Sequence, residues 1–180
     1  MTLFRSTAML VSLVLVPLTV TAAPPPEPTV EYSADSTMET EGGMTMKSRV
    51  YHTPTKQRME MGGADGSVTI IRKDKKVVWQ VMGDMYMEMP LDQSNAPDMG
   101  GFDIQEQTEV GEETVNGLKT TKTKIIATKP DGSKFGGFFW TTKEGVTVKM
   151  DLLSKDGDKK MRMASELTNV KIEKQNPALF

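Results

Sequence analysis

Cysteine is absent from the 180 residues and histidine occurs once, at His52. Without a thiol the chain forms no disulfide, has no sulfur nucleophile and cannot carry the lipidated cysteine of a bacterial lipoprotein. A single imidazole and no carboxylate pair at a recognisable catalytic spacing leave acid–base and nucleophilic catalysis without their usual parts, so a non-enzymatic protein is expected. No cofactor motif is present either, because Gly62-Gly63-Ala64-Asp65-Gly66 lacks the strand-to-helix setting of a phosphate loop and reads as a turn. Lys and Arg total 22 against 24 Asp and Glu, a balance that disfavours nucleic acid as a partner. Long apolar runs are also missing, since the only one, Ala8 to Val16, is too short to span a bilayer.

That run does have another use. Arg5 precedes it, Pro17 ends it, and Val20-Thr21-Ala22-Ala23 supplies the small residues a signal peptidase cuts after. Residues 1–23 are therefore expected to be a secretory signal peptide, residues 24–29 a proline-rich linker and residues 30–180 one domain. The mature protein is expected in the periplasm as a monomer with no permanent membrane anchor. Removing the leader takes Arg5 and no acid, leaving 21 basic against 24 acidic residues.

What is present in unusual amount is methionine, 15 residues, often at alternate positions: Met44 with Met46, Met59 with Met61, Met85 with Met87 and Met89, Met161 with Met163. A period of two is that of a β-strand, so each set lies on one face while Lys47, Arg58, Glu60, Tyr86, Glu88 and Arg162 lie on the other. Alternation begins at Val30, Tyr32, Ala34, Ser36 and Met38 and is clearest over Val146 to Leu152, where the even positions are apolar. Turn signals punctuate the chain, among them Glu41-Gly42-Gly43, Gly83-Asp84, Asn116-Gly117, Glu144-Gly145 and Asp156-Gly157. The expected fold class is all-β: an antiparallel meander of about ten strands with at most one or two short helices. Only Leu91 to Gly101 lacks alternation, and Pro97 limits it to a short helix or lid loop. In the last strand the parity of Met161, Met163 and Leu167 is broken by Val170 and Ile172, which predicts a bulge near Thr168-Asn169. Gly136-Gly137 predicts strong coiling or a close backbone approach. A long, bent, one-sided sheet curls over its apolar face.

Some of these stretches resemble a known family. Gly111-Glu112-Glu113-Thr114-Val115-Asn116-Gly117-Leu118-Lys119-Thr120-Thr121-Lys122, then Phe139-Trp140-Thr141-Thr142-Lys143-Glu144-Gly145-Val146 and Met150, resemble the central strands of the outer-membrane lipoprotein-sorting (LolA/LolB-like) superfamily. Tyr86-Met87-Glu88-Met89-Pro90-Leu91 and Asn176-Pro177-Ala178-Leu179-Phe180 resemble a small periplasmic family of unknown function within that group. The resemblance runs from about Val30 to Phe180 and implies an open half-barrel whose concave apolar face receives acyl chains. It brings no binding residue with it.

The residues themselves point the same way. Met is a flexible gap filler that adapts to variable partners; a rigid core would be better specified by Leu or Val. The expected ligand is a lipid or an acylated protein, held in a groove lined by Met38, Met44, Met46, Met59, Met61, Met85, Met87, Met89, Phe139, Val146, Val148, Met150, Met161 and Met163. The plainer alternative is that each of these side chains fills the protein's own core, contributing roughly 1.5–3 kcal/mol. Two rivals of other classes stand beside this reading. One is a Cu(I) or Ag(I) site built from Met44, Met46 and His52, since thioethers suit soft cations; the other is an interaction module whose open sheet edge recruits a strand. Trp79 and Trp140 read as core or rim residues.

Overall fold

The structure is a computed structural model that describes residues 26–62, 66–92, 103–128, 132–156 and 159–180. Among these residues eleven strands form one antiparallel sheet: β1 (Tyr32–Thr40), β2 (Thr45–Thr53), β3 (Lys56–Met61), β4 (Ser67–Arg72), β5 (Val77–Met82), β6 (Met85–Pro90), β7 (Asp103–Val115), β8 (Leu118–Thr128), β9 (Lys134–Thr141), β10 (Thr147–Asp156) and β11 (Lys159–Ile172). The order across the sheet is β6-β5-β4-β3-β2-β1-β11-β10-β9-β8-β7. Two meanders are thus joined where the first strand pairs the last, and the sheet stays open with β6 and β7 as its edges. The expected all-β fold is present with one strand more than the ten anticipated, and a single 3-10 turn, Pro177–Leu179, is the helical element described. Leu91 and Asp92 form a turn, and the rest of the segment anticipated as a lid lies outside the described residues, as does the leader.

Local chemistry explains the joints. Asn116 and Gly117 at the β7–β8 turn both have positive φ, +49° and +80°, the pairing a tight hairpin needs. The β1–β11 register slips between Ser33↔Lys171 and Asp35↔Thr168, and Asn169 sits there at φ +50° with its amide donating to Asp35 Oδ2 at 2.7 Å. This is the bulge the broken parity predicts. Gly137 lies against β10 so closely that a Cβ would fall on the Asp151 carbonyl oxygen, which is the approach that the paired glycines imply.

The sheet bends until distant strands meet. Asn116 Nδ2 donates to Leu167 O at 2.8 Å and to Glu166 Oε1 at 2.9 Å, although β8 and β11 are separated by two strands. Val115 and Leu118 accordingly pack on a buried cluster of Tyr32, Ala34, Val50, Val146 and Val148, with Met59 and Leu167 beside it. A second cluster joins Ile125, Ala127, Phe135, Phe139 and Leu152, with Met150 and Met163 against it. Burial pushes the Tyr32 phenol up to about 12.

Both described ends are tied down. In the proline-rich arm Thr29 N–H donates to Glu144 O at 3.0 Å and Glu27 pairs with Lys73 at 2.9 Å. At the other end Arg58 Nη1 donates to Leu179 O at 3.0 Å and Lys56 Nζ stands 5.8 Å from the centre of the Phe180 ring. Lys56 and Arg58 alternate with Gln57 and Met59, so the C-terminal residues cover the face opposite the methionines.

A candidate apolar binding face

Strand pairing carries the methionine parity from one strand to the next, so the alternate sets become rows on a single inner face. One row reads Met46, Met38, Ser165, Met150, Phe139 and Thr123 across β2, β1, β11, β10, β9 and β8. At about 4.8 Å between strands it covers roughly 24 Å of arc. A second reads Met87, Gln80, Thr69, Met59, Val50 and Ala34 from β6 to β1. A third joins Met163, Leu152, Gly137, Ile125 and Gln107. Met89 heads a fourth row through Val78, Ile71, Gln57 and His52 to Tyr32, while Met61 lies opposite Ser48.

Burial divides the expected lining into three groups. Phe139, Val146 and Val148 are buried, with Val146 in the turn before β10. Met38, Met46, Met59, Met61, Met89, Met150 and Met163 are half-buried. Met44, Met85, Met87 and Met161 instead stand 53–71% exposed, a departure from the expectation that all lie in the hollow. Met44 belongs to a turn, Met161 to the hairpin end of β11, and Met85 and Met87 to an edge strand, so no neighbouring strand covers them.

A hollow of about 260 Å³ opens on this face, with Ile125 and Phe139 at its floor and Thr121, Thr123, Thr141 and Gln107 around them. Pro26 of the arm also lines it. Gln107 Oε1 is buried without a hydrogen-bond partner, an acceptor that a donor on a bound molecule would satisfy. Attention to methionine passes over this part of the face. Its signal is the ordinary alternation of Thr121, Thr123, Ile125 and Ala127. Met82, opposite Met85, is missed for a similar reason, standing three residues from its nearest partner in sequence.

The three residues considered for a soft metal do not converge. Met46 and His52 are six residues apart on the extended β2, about 20 Å, and Met44 is farther still. His52 is buried, stacked on Tyr32 with ring centres 5.0 Å apart, and its Nδ1–H donates to Val30 O at 3.3 Å. Burial lowers its pKa, which favours the neutral imidazole. Among the described residues no group of three or more His, Cys, Asp or Glu is placed to hold a metal ion.

The opposite face mixes paired charged groups with apolar residues, among them Ile70, Ile126, Phe138 and the half-exposed Leu153. Trp140 Nε1 donates to Glu113 Oε2 at 2.6 Å, with Lys122 Nζ and Lys149 Nζ 4.8 and 5.2 Å from its ring centre. The Trp140 hydrogen bond, then that from Lys122, holds the Glu113 carboxyl below the usual carboxylate range. Trp79 similarly donates to Glu88 at 2.6 Å. Both indoles are therefore engaged by the protein itself. No helix among the described residues is long and apolar enough to cross a membrane.

No family model matches the sequence, and no curated protein does. Solved structures do match. MucB is 12% identical over 83% of this chain and 56% of its own, with a TM-score of 0.55. The Pseudomonas aeruginosa MucA/MucB complex matches at 13% identity over 83% and 55%, TM-score 0.52. This chain thus spans little more than half the length of those relatives. A LolA superfamily protein from Nitrosomonas europaea is also matched, at 9% identity over 85% and 90%, with a TM-score of 0.46. Likeness at such identities concerns the fold alone. The chain shares its fold with MucB, an open antiparallel sheet bent over an apolar face.

Proposed function

We propose that this chain is an exported, non-enzymatic protein that holds a lipid, an acyl chain or another apolar ligand against its methionine-bearing inner face, in lipoprotein or envelope-lipid handling. The observation that carries this reading is the continuity of the rows: Met46, Met38, Met150 and Phe139 fall in line across five strands, a path long enough for much of an acyl chain. Burying about ten methylenes there would contribute roughly 8 kcal/mol before ordering costs, so binding needs no charged contact. The hollow beside Phe139, with its threonine hydroxyls and the unpaired Gln107 oxygen, suits the polar end of an amphiphile. The leader pattern of residues 1–23 supports export to the periplasm. MucB has been solved with the protein MucA, which keeps a protein among the candidate partners.

Native mass spectrometry of the exported protein with palmitate tests the reading. A one-to-one adduct is expected, lost in the double variant Met38→Glu, Met150→Glu, which places two carboxylates in the row through Met46 and Phe139. Absence of an adduct, or an adduct that survives the double variant in a folded protein, would overturn it.

A further inference from the structure

The two edges of the sheet are built differently. β7 presents Asp103, Glu106, Glu109, Glu112 and Glu113 and has two register shifts against β8, both devices that discourage strand addition. β6, Met85-Tyr86-Met87-Glu88-Met89-Pro90, has one acid, no lysine and an unbroken register against β5. Met85, Tyr86 and Met87 are 71, 73 and 53% exposed, and among the described residues β5 is the only strand beside β6 in the sheet.

The hydrogen-bonding phase of β6 follows from its continuation. Leu91 N–H donates to Lys76 O at 2.9 Å, extending the β5–β6 ladder by one pair beyond Val77↔Pro90. Antiparallel pairs alternate, so Met85, Met87 and Met89 direct their N–H groups at β5 while Tyr86 and Glu88 direct theirs outward. Pro90, which has no N–H, falls in an outward position, where an edge strand tolerates it.

We propose that β6 pairs with β6 of a second copy of this chain, antiparallel about a two-fold axis at Met87. Three symmetric registers are available to a strand of this length. Centring on Glu88 sets two carboxylates opposite each other, and centring on Tyr86 sets Glu88 opposite Asp84, so both place acid against acid. Centring on Met87 sets Tyr86 opposite the second copy's Glu88 and Met85 opposite its Met89. In that register Tyr86 and Glu88 exchange both backbone hydrogen bonds, which satisfies all four outward N–H groups of the two strands. The methionine parity then continues across the junction on one face. Pairing β6 to β7 would build an open filament instead, and the acids and bulges of β7 oppose it, which leaves the closed dimer. Six residues a side make a small interface, so the dimer dissociates on dilution and the chain is a monomer at low concentration.

Because the chain has no cysteine of its own, disulfide trapping reads the register without background. Met87 and its copy form a non-hydrogen-bonded pair with Cα atoms about 4.5 Å apart, inside the range a disulfide accepts. Met87→Cys is therefore expected to cross-link under mild oxidation. Tyr86→Cys, whose copies are offset by two positions and stand beyond about 8 Å, is expected not to. Sedimentation velocity from about 1 µM to about 1 mM should show a reversible dimer. Tyr86→Pro, which deletes an outward N–H that β5 does not use, should weaken it at least tenfold while leaving the thermal midpoint near that of the parent. A protein monomeric at the highest concentration, as expected if β6 receives a strand from a different protein, overturns the proposal. So does equal cross-linking of the two cysteine variants, or a dimer indifferent to Tyr86→Pro.

Discussion

Adding one methyl group at Gly137 should loosen the middle of the sheet. An ideal Cβ there would fall on the Asp151 carbonyl oxygen and lie 2.9 Å from Leu152 Cα and 3.0 Å from the Asp151 carbonyl carbon. All three atoms are backbone, so no side-chain rotation relieves the contact, and β9 must move away from β10. Overpacking of this kind costs about 1–3 kcal/mol. The upper end applies because the Gly137↔Leu152 pair lies inside a ladder bonded on both sides. Replacing glycine returns roughly 0.5–1 kcal/mol through the unfolded chain, so Gly137→Ala should lose about 2–2.5 kcal/mol. For a chain of this size that lowers the midpoint by roughly 5–10 °C, readable by circular dichroism on heating. Gly136→Ala is the matched control, because its Cβ would meet Ile125 O at 3.1 Å and the Ile126 side chain at 3.6 Å. That variant should stay within about 1 kcal/mol of the parent. A Gly137→Ala protein as stable as the parent, or a larger loss at Gly136, would refute the close packing of β9 on β10.

Acid should destabilise the protein through His52, whose pKa is lowered by burial. The unfolded chain takes up the proton as pH falls through about 6.5, while the folded chain takes it up only at lower pH. The His52 contribution is therefore intact above that value and lost below it, at up to about 1.4 kcal/mol per pH unit. Urea denaturation across this range should show a shallower slope in His52→Gln, and an unchanged slope would contradict the buried neutral imidazole. Gln107→Leu removes the unpaired buried oxygen and should leave the free protein as stable as the parent or raise its stability by about 1 kcal/mol. The same change should weaken binding of an amphiphile with a hydroxyl headgroup more than binding of palmitate, measured by calorimetry. Equal losses for both ligands would place the headgroup elsewhere.

Alternation made the two faces legible before any pairing was known, because a period of two needs only one strand to declare itself. Val148, Met150 and Leu152 thus turn inward and Lys149 and Asp151 outward as anticipated. Backbone-specific residues were equally readable. Asn116-Gly117 closes a hairpin and Asn169 marks the bulge, each by a positive φ that few residues adopt. Pairing of β1 with β11 was not readable, since it joins residues more than 120 positions apart and no local signal names a distant partner. Exposure along the rows was hidden for the same reason. Met85 and Met59 share a parity pattern, yet one lies on an edge strand and the other beside Val50 and the inner cluster. The soft-metal reading fails on geometry that spacing alone already contained, because an extended strand separates Met46 from His52.

Methionine methyl resonances report on the inner face directly. With the ε-methyl groups carbon-13 labelled, titration of palmitate into the exported protein should shift Met38, Met46, Met59, Met150 and Met163 together in a saturable, one-to-one manner. Met44 and Met161, which stand 65 and 62% exposed at the rim, should move much less. Methyl signals indifferent to palmitate, or shifts confined to the exposed rim, would contradict a binding face on the inside of this sheet.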